Sequence, residues 1–321
     1  MFSIIIPLYN KASYIKKAIN SVLAQTFNEF EVIVINDGSI DNSLEEASQI
    51  VDSRLKIITQ ENSGVSIARN NGVKLAKHPY ICFLDADDWW EPTFLEEMHQ
   101  LIENYPNAGI YGTNYYIVKN GKNRIAPIGI PEGFKYGEID YCQVYAKTLC
   151  MPLWTGAVCI PKSVFDEEKG FKPTLKLGED FDLWIRVAIK HKVVFLNKPL
   201  AFYNQDVEMA YRAVGNHKFY NQDEHFLFNL DYLHQYEESN KNLNYILDKF
   251  RLLLLPYYLN KQRRNDAKEQ LQKIDWSKQS KKATIIYNLP IFLLKIGFII
   301  IQYLGNIKNN INKKIQINKK T

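Results

Sequence analysis

Tyr80-Ile81-Cys82-Phe83-Leu84 runs directly into Asp85-Ala86-Asp87-Asp88-Trp89-Trp90. An unbroken apolar run bounded by polar residues suits a strand buried on both faces, as in parallel sheets covered by helices. In open α/β sheets, ligands bind at the carboxyl ends of the strands. The three carboxylates then stand at the mouth of a cleft, where oxygen ligands can hold Mg²⁺ or Mn²⁺ shared with substrate phosphates. An acidic loop that only caps the next helix accounts for the same residues equally well, because a short acidic triplet is a weak motif.

The preceding residues supply the rest of such a sheet. Ser3-Ile4-Ile5-Ile6-Pro7 reads as a strand. Ile15, Ala18, Ile19, Val22 and Leu23 then follow helical spacing. Val32-Ile33-Val34-Ile35 reads as a second strand ending in Asn36-Asp37-Gly38-Ser39. Asn42 and Glu45 form a capping pattern for the next helix. Leu55 to Thr59 is a third strand, and a helix is expected over 65–76. Strand and helix in alternation imply right-handed crossovers and a mainly parallel sheet. The loops at Tyr9-Asn10, Asp37-Gly38-Ser39, Glu61-Asn62-Ser63-Gly64 and Asp85 to Asp88 therefore open on one edge.

Each loop brings a different chemistry. Tyr9 offers a ring for stacking. Asp37 can accept from an N–H. Gly38 and Gly64 allow close backbone approach or positive φ. Arg69 can fork onto carbonyl or phosphate oxygens. Taken singly, each has an ordinary explanation: a loop aromatic, a turn, a surface ion pair. Their joint presentation at one edge favours a site.

Ser3 to Asn10, Val34 to Ser39, Gly64 to Gly72 and Phe83 to Asp88 resemble, in order and spacing, the signature motifs of family 2 glycosyltransferases. The resemblance is dense over residues 1–110 and resumes at Gly178-Glu179-Asp180-Phe181-Asp182-Leu183-Trp184-Ile185-Arg186. Nothing specific is recognised beyond about residue 220. It implies a GT-A nucleotide-binding fold: an α/β architecture with a mainly parallel sheet flanked by helices. It also implies a donor site at Pro7, Tyr9, Asp37, Arg69 and Asp85. Tyr9 would stack on the base, usually uracil, and Asp37 would bond its N–H. Arg69 would contact base or diphosphate, and Asp85 the ribose or donor sugar. Asp87 would coordinate the divalent metal, Mn²⁺ or Mg²⁺. Asp180 would be the catalytic base of an inverting transfer, with Glu179 beside it positioning the acceptor.

The residue types suit that chemistry. Charge builds on the departing diphosphate, where a metal acts as a Lewis acid. The acceptor hydroxyl loses its proton to a positioned carboxylate. A single inverting displacement needs no protein nucleophile, and no Ser/His/Asp or Cys/His arrangement demands one. Acidic residues in a helix's first turn also favour its dipole, which alone would explain Glu179-Asp180. Asp180, however, shares a helical face with Leu183, Trp184 and Val187, an odd position for a mere surface charge.

We expect three regions. Residues 1–220 form the catalytic domain, with 1–110 as its nucleotide-binding half and 111–220 as its acceptor-binding half. Residues 221–275 form a helical extension, and 276–321 a basic amphipathic tail. At 46% hydrophobic and 23% charged residues the composition is ordinary for a globular enzyme. The four cysteines show no CxxC spacing and read as reduced thiols. No basic region precedes the first strand, so no signal peptide is expected. A cytoplasmic site is expected, where nucleotide sugars occur.

In the middle of the chain, Asn120-Gly121 signals a hairpin. Pro152 to Val158 leads into a strand, with Trp154 either stacking on an acceptor sugar or packed in the core. The stretch Asn204 to Arg212 departs from the family's basic or His-bearing pattern, and His217 is a candidate third metal ligand or a surface histidine. Helices are expected over 218–236, 241–259 and 263–274. Nine lysines and no Asp, Glu or Arg follow Asp275, so the body before it is net acidic. Ile285 to Ile301 approaches the ~20 residues of a bilayer span, but Asn288, Pro290 and Lys295 interrupt it. It suits a segment lying in the membrane interface, near the inner face of the plasma membrane, or one docked on protein. The interleaved aliphatic residues argue against nucleic acid as partner.

The expected function is metal-dependent transfer from a nucleotide-diphosphate sugar, UDP-linked, to a glycan or lipid-linked hydroxyl in cell-surface polysaccharide synthesis. The alternative is a non-catalytic nucleotide-sugar-binding scaffold of an assembly complex. A nucleotidyltransferase is disfavoured, because Pro7-Leu8-Tyr9-Asn10 stands where a Gly-rich phosphate loop would follow the first strand.

Overall fold

The four apolar runs of the N-terminal third become the strands β1 (Phe2–Leu8), β2 (Phe30–Asp37), β3 (Leu55–Gln60) and β4 (Tyr80–Phe83). They are parallel, in the order β3-β2-β1-β4. The computed structural model describes residues 1–207, 220–237, 240–260, 264–290, 292–294 and 296. Every residue of β2 is buried, as expected of a strand covered on both faces. The helices between the strands are α1 (Ile15–Leu23), α2 (Ser43–Ser48) and α3 (Val65–Leu75). α1 buries the apolar stripe read from its spacing, Ile15, Ala18, Ile19 and Val22. Asn42 precedes α2 but makes no side-chain cap. Asp41 does that work instead: its Oδ1 accepts from Ser43 N (2.9 Å) and its Oδ2 from Ala12 N (3.2 Å).

The second half adds β5 (Trp89–Trp90), α4 (Phe94–Asn104), β6 (Ile110–Lys119), β7 (Lys122–Ile125), β8 (Tyr136–Ile139), α5 (Tyr141–Thr148), β9 (Val158–Pro161), α6 (Lys162–Glu167), α7 (Glu179–Lys190) and β10 (Val193–Asn204). The sheet continues from β4 as β9-β6-β10-β5, with β7 on β6 and β8 on β10. The α/β class is as expected, but the sheet as a whole is mixed. β9 is antiparallel to both β4 and β6. Outside the first four strands, β6 and β10 form the parallel pair. The reason is a tertiary contact. The Trp90 indole N–H donates to Gly156 O at 2.7 Å, which holds the turn at Thr155–Ala157 near the carboxyl end of β4. The chain then retraces β4, with Cys159 beside Cys82 and Pro161 beside Tyr80.

The hairpin at Asn120-Gly121 forms with φ of 54° and 67°, the paired positive values of the turn that matches strand twist. The Asp206 carboxylate accepts from both of its amides. The core runs along the sheet and under α1 and α4, through residues such as Ile4, Ile6, Val34, Leu84, Phe94, Met98, Tyr111 and Val194.

The chain divides into two units, Met1–Tyr236 and Glu237–Thr321. Over the described residues 220–233, the helix expected over 218–236 does not form. Short 3₁₀ turns at Gln222–Glu224, Phe226–Phe228 and Asp231–Leu233 lead into a single turn, α8 (His234–Glu237). Backbone groups there bond across to another segment: Lys176 N donates to Glu224 O (2.8 Å) and Phe226 N to Leu177 O (3.1 Å). Groups spent on a strap cannot close helical turns. In the second unit, α9 (Lys241–Asn260) and α10 (Arg264–Gln272) match expectation. The buried Asp248 accepts from Arg251 (2.9 Å), Asp275 N (3.1 Å) and Gln279 (3.0 Å), tying α9 to the chain beyond α10. α11 (Lys281–Tyr287) ends at Asn288, ahead of Pro290. Among the described residues, no helix is long and apolar enough to cross a membrane. The expectations for His217, for 208–212 and for 297–321 lie outside the described residues.

Candidate active site

The loops after β1, β2 and β3 are laced together by side chains. Asn10 sits at φ 51°. Its Oδ1 accepts from Ile40 N (2.9 Å), and its own N–H donates to Ser39 Oγ (3.2 Å). Asp37, at the end of β2, is buried. Its Oδ1 accepts from Gln60 Nε2 (2.7 Å) and Ser63 N (2.9 Å), and its Oδ2 from Gly64 N (2.8 Å). A carboxylate has about four acceptor positions, so three are committed to shaping the 61–64 loop and one remains. Gly38 has φ 70°, and a Cβ there would lie 2.8 Å from Asn62 N. Both facts exclude a side chain where the two loops meet. Tyr9 stands in front of this platform, 44% exposed.

The acidic loop after β4 separates its three carboxylates by partner. Asp85 Oδ1 accepts from Arg69 NH2 (2.7 Å), whose NH1 reaches Glu179 Oε1 (3.1 Å). Arg69 comes from α3 and is only 4% exposed. It lies over the Phe171 ring at 5.2 Å, and its Nε has no hydrogen-bond acceptor. Burial works against its charge, but Asp85 and Glu179, joined by Asp180, overcome it and hold the guanidinium above its usual value. Asp87 Oδ2 accepts from Lys11 Nζ at 2.6 Å. Burial raises the Asp87 carboxyl; Lys11 opposes the rise and Asp85 adds to it. Asp88 is buried and accepts from Asn204 N at 2.7 Å, bracing the loop against β10.

Asp180 occupies the first turn of α7. The helix starts after Gly178, whose φ is 76°. A Cβ on Gly178 would lie 2.3 Å from the Phe226 ring, so the strap at 221–229 closes against this point only because the residue is glycine. Asp180 Oδ1 accepts from Phe181 N (2.7 Å). Its carboxyl is pushed up to about 7. Burial is the largest cause, followed by Glu179. The Phe181 amide and Arg69 pull the other way, and Asp85 adds a smaller upward push. Tyr141 and Tyr145 of α5 sit close enough for Asp180 to help raise their phenols, after burial. Behind the site, the fully buried Asp182 accepts from Lys172 (2.7 Å), Arg186 Nε (3.0 Å) and Tyr232 Oη (2.9 Å). That cluster anchors α7 from below, while Leu183, Trp184 and Val187 are buried.

The structure thus brings Asp85, Arg69, Glu179 and Asp180 into one charged group, and sets Asp87 beside Lys11. Pro7 is half-buried within β1. Trp154 is a core ring: it is 4% exposed and packs at 4.9 Å from Tyr115 and 5.2 Å from Tyr203. Lys11, Tyr141, Tyr145 and the 221–229 strap were not singled out from the sequence. Lys11 alone had a readable signal, as a cation directly after Tyr9-Asn10. Among the described residues, the one set of three ligand side chains drawn together within 4.8 Å is elsewhere, at Glu167, Glu168 and His191. There Glu168 already pairs with Lys190 (2.7 Å) and Arg186 (3.6 Å).

Two family profiles match the chain: glycosyl transferase family 2 over residues 3–154 and glycosyl transferase family group 2 over residues 80–245. Glycosyltransferase GlyA of Streptococcus pneumoniae is 39% identical over 229 residues, covering 63% of this chain and 30% of that protein. An uncharacterized glycosyltransferase of Rickettsia bellii is 35% identical over 193 residues, covering 58% of this chain and 27% of the other. The chain thus spans about a third of the length of these relatives. Among solved structures, S. aureus TarS 1-349 covers 84% of this chain and 88% of its own, with a TM-score of 0.55 at 20% identity. The complex of the same protein with UDP-GlcNAc covers 64% of this chain and 59% of its own, with a TM-score of 0.55 at 23% identity. These likenesses establish the fold.

Proposed function

The chain belongs to glycosyl transferase family 2, and from that premise we propose that it is an inverting, metal-dependent transferase. It moves a sugar from a UDP-sugar to a hydroxyl of a glycan or lipid-linked acceptor in cell-surface polysaccharide synthesis. One observation carries the reading: the unbroken path Asp85–Arg69–Glu179. It joins the acidic loop at the strand ends to the first turn of the helix that bears Asp180. A leaving diphosphate at one end and an attacking hydroxyl at the other would lie on either side of a single reacting carbon. TarS, a neighbour in fold, is described in complex with UDP and with UDP-GlcNAc.

In this reading Tyr9 supplies the stacking face for the base. Asp37 uses its remaining acceptor position for the base N–H. Asp85 meets the ribose or donor sugar. The site suits a divalent cation, since among the described residues the ion pairs of Asp85, Asp87 and Glu179 are with Lys11 and Arg69, with Asp88 and Asp180 beside them, and an ammonium already rests on Asp87. Asp87 would hold the ion, with Asp85 next to it. The metal supplies charge neutralisation on the departing diphosphate. Arg69, locked between two carboxylates, ties Asp85 to Glu179 and draws the Asp180 proton affinity down. Asp180 takes the proton of the acceptor hydroxyl. Glu179 and the α5 face carrying Tyr141 and Tyr145 border the acceptor side.

A panel of UDP-sugars incubated with Mn²⁺ tests this directly. We expect UDP release with at least one donor, abolished by EDTA and restored by Mn²⁺. Tight binding across the panel without turnover would favour a nucleotide-sugar-binding scaffold instead.

We further propose that the end of the chain rests on a membrane surface on the side where nucleotide sugars are made. Ile285, Leu289, Phe292 and Ile296 are exposed at helical spacing, and the lysine-only segment surrounds them. Apolar burial and attraction to anionic headgroups act together in such segments. The full chain is expected to sediment with anionic phospholipid vesicles at low salt and to be released at high salt. Recovery in the supernatant at low salt would dispose of the idea.

A further inference from the structure

Two carboxylates of the acidic loop are neutralised in unlike ways. Asp85 is held by Arg69, whose guanidinium is buried and forked between two acids over the Phe171 ring. That cation has nowhere to go. Asp87 is held by Lys11, at 2.6 Å. The Lys11 backbone is tethered, its N–H donating to Ser43 Oγ at 2.7 Å, and the next residue, Ala12, donates to Asp41 Oδ2 at 3.2 Å. Its charge therefore sits at the end of a flexible aliphatic stem rooted in a fixed loop. An ammonium on such a stem is a mobile point charge, unlike a planar fork. The root lies two residues after Tyr9, the exposed ring of the same loop. Lys11 thus stands between the stacking platform and the acidic loop, where a diphosphate joining base to sugar must pass.

We propose that Lys11 is a cation exchanger for the donor site. Without nucleotide it occupies the Asp87 carboxylate and keeps a free divalent ion from binding tightly there. When a metal–nucleotide complex enters, the ion takes Asp87 and the Lys11 ammonium transfers to the diphosphate. This rests on the donor-site reading above and adds a role that reading does not require.

The physical consequence is coupling. A bare ion must displace an ammonium and leave it without its carboxylate. An ion arriving with a diphosphate brings the ammonium a new anionic partner. Metal and nucleotide therefore each tighten the other, and the same factor must appear in both directions. Removing the ammonium eliminates a competitor for the bare ion and a partner for the diphosphate. The two affinities then move oppositely, which ordinary loss of a salt bridge would not produce.

The test is binding alone, on the full chain. Mn²⁺ is titrated by electron paramagnetic resonance with and without UDP, and UDP by calorimetry with and without Mn²⁺. Wild type, Lys11→Gln and Lys11→Arg are compared, with Lys16→Gln, whose ammonium pairs with Glu46 of α2, as the charge-matched control. For Lys11→Gln we expect Mn²⁺ alone to bind about 10-fold tighter, UDP with Mn²⁺ about 10-fold weaker and UDP alone as in wild type, so that the mutual enhancement shrinks about 10-fold in both directions. Lys11→Arg should restore much of the UDP affinity, and Lys16→Gln should match wild type. Unchanged or weaker Mn²⁺ binding in Lys11→Gln, in a variant whose melting temperature shows it folded, would overturn the exchange. An unfolded Lys11→Gln leaves the decision to Lys11→Arg: its bulkier, forked cation should alter the enhancement, and a wild-type value overturns the proposal. A wild-type protein that binds neither UDP nor Mn²⁺ would instead bring down the donor-site reading itself.

Discussion

Asp180→Asn is expected to lower sugar transfer by ~10²–10⁴-fold, the usual contribution of a positioned general base, while UDP-sugar and Mn²⁺ binding stay close to wild type. The amide has the shape of the carboxylate and keeps an oxygen for the Phe181 amide, but it cannot take a proton. The Asp180 carboxyl is raised from 3.8 to about 7 by burial and by Glu179. A base must be ionised to act, so kcat/KM should climb with pH through about 7 and level off above it. The stability consequence has the opposite sign. A folded-state value above the unfolded one means that the folded protein binds the proton more tightly, so the ionised group costs stability. The cost is absent below about 3.8, develops as pH rises and is complete above about 7. Asp180→Asn should therefore melt higher than wild type at pH 8, with the difference vanishing near pH 3.5. Near-normal turnover in this variant would remove Asp180 from the mechanism. A lower melting point at pH 8 would show that its charge is not the strained group the structure describes.

Arg69→Met should damage both fold and activity. Breaking a buried pair by deleting one partner typically costs ~3–5 kcal/mol. Here Asp85 and Glu179 are 33% and 16% exposed and water can answer part of their charge, so about 2–3 kcal/mol is the expected loss. That lowers the melting temperature by roughly 2–4 °C per kcal/mol for a unit of this size. The kinetic signature is more specific. Arg69 draws the Asp180 carboxyl down against burial and its acidic neighbours. Without it, the acid limb of the pH–rate profile should move above about 7, and transfer at neutral pH should fall further than at pH 9. Arg69→Lys should return part of the limb position but little of the stability, because an ammonium cannot fork to both carboxylates. An acid limb that does not move in Arg69→Met would reduce Arg69 to a structural part.

Much of the first half was legible because its elements are local. Each strand from β1 to β4 is a short apolar run ended by polar residues, and α1 carries its buried stripe at the spacing that burial demands. Parallel neighbours need helical crossovers, so loop positions at the strand ends followed from element order. The same logic overreached at β9, which pairs antiparallel to β4. Its direction depends on Trp90 fixing a turn 66 residues further on, and no local pattern encodes that bond. The helix expected near 218–236 failed for a related reason. Its residues have adequate helical character, but their backbone groups find partners at Lys176 and Leu177. Trp154 could not be resolved either way from sequence, because an indole suits a core and a sugar alike; its rings of Tyr115 and Tyr203 decided it.

What the chain's own order of residues determined was the inventory: alternating elements, a shared edge, and carboxylates, a tyrosine and an arginine delivered to it. Family membership came from the same source, since motif order and spacing are properties of sequence. Only the folded molecule decided the pairings. Arg69 lies between Asp85 and Glu179, residues separated from it by 16 and 110 positions, and Lys11 meets Asp87 across 76. Contact at that separation depends on how sheet and helices pack, and the proton affinity of Asp180 depends in turn on which charges and how much water that packing leaves around it.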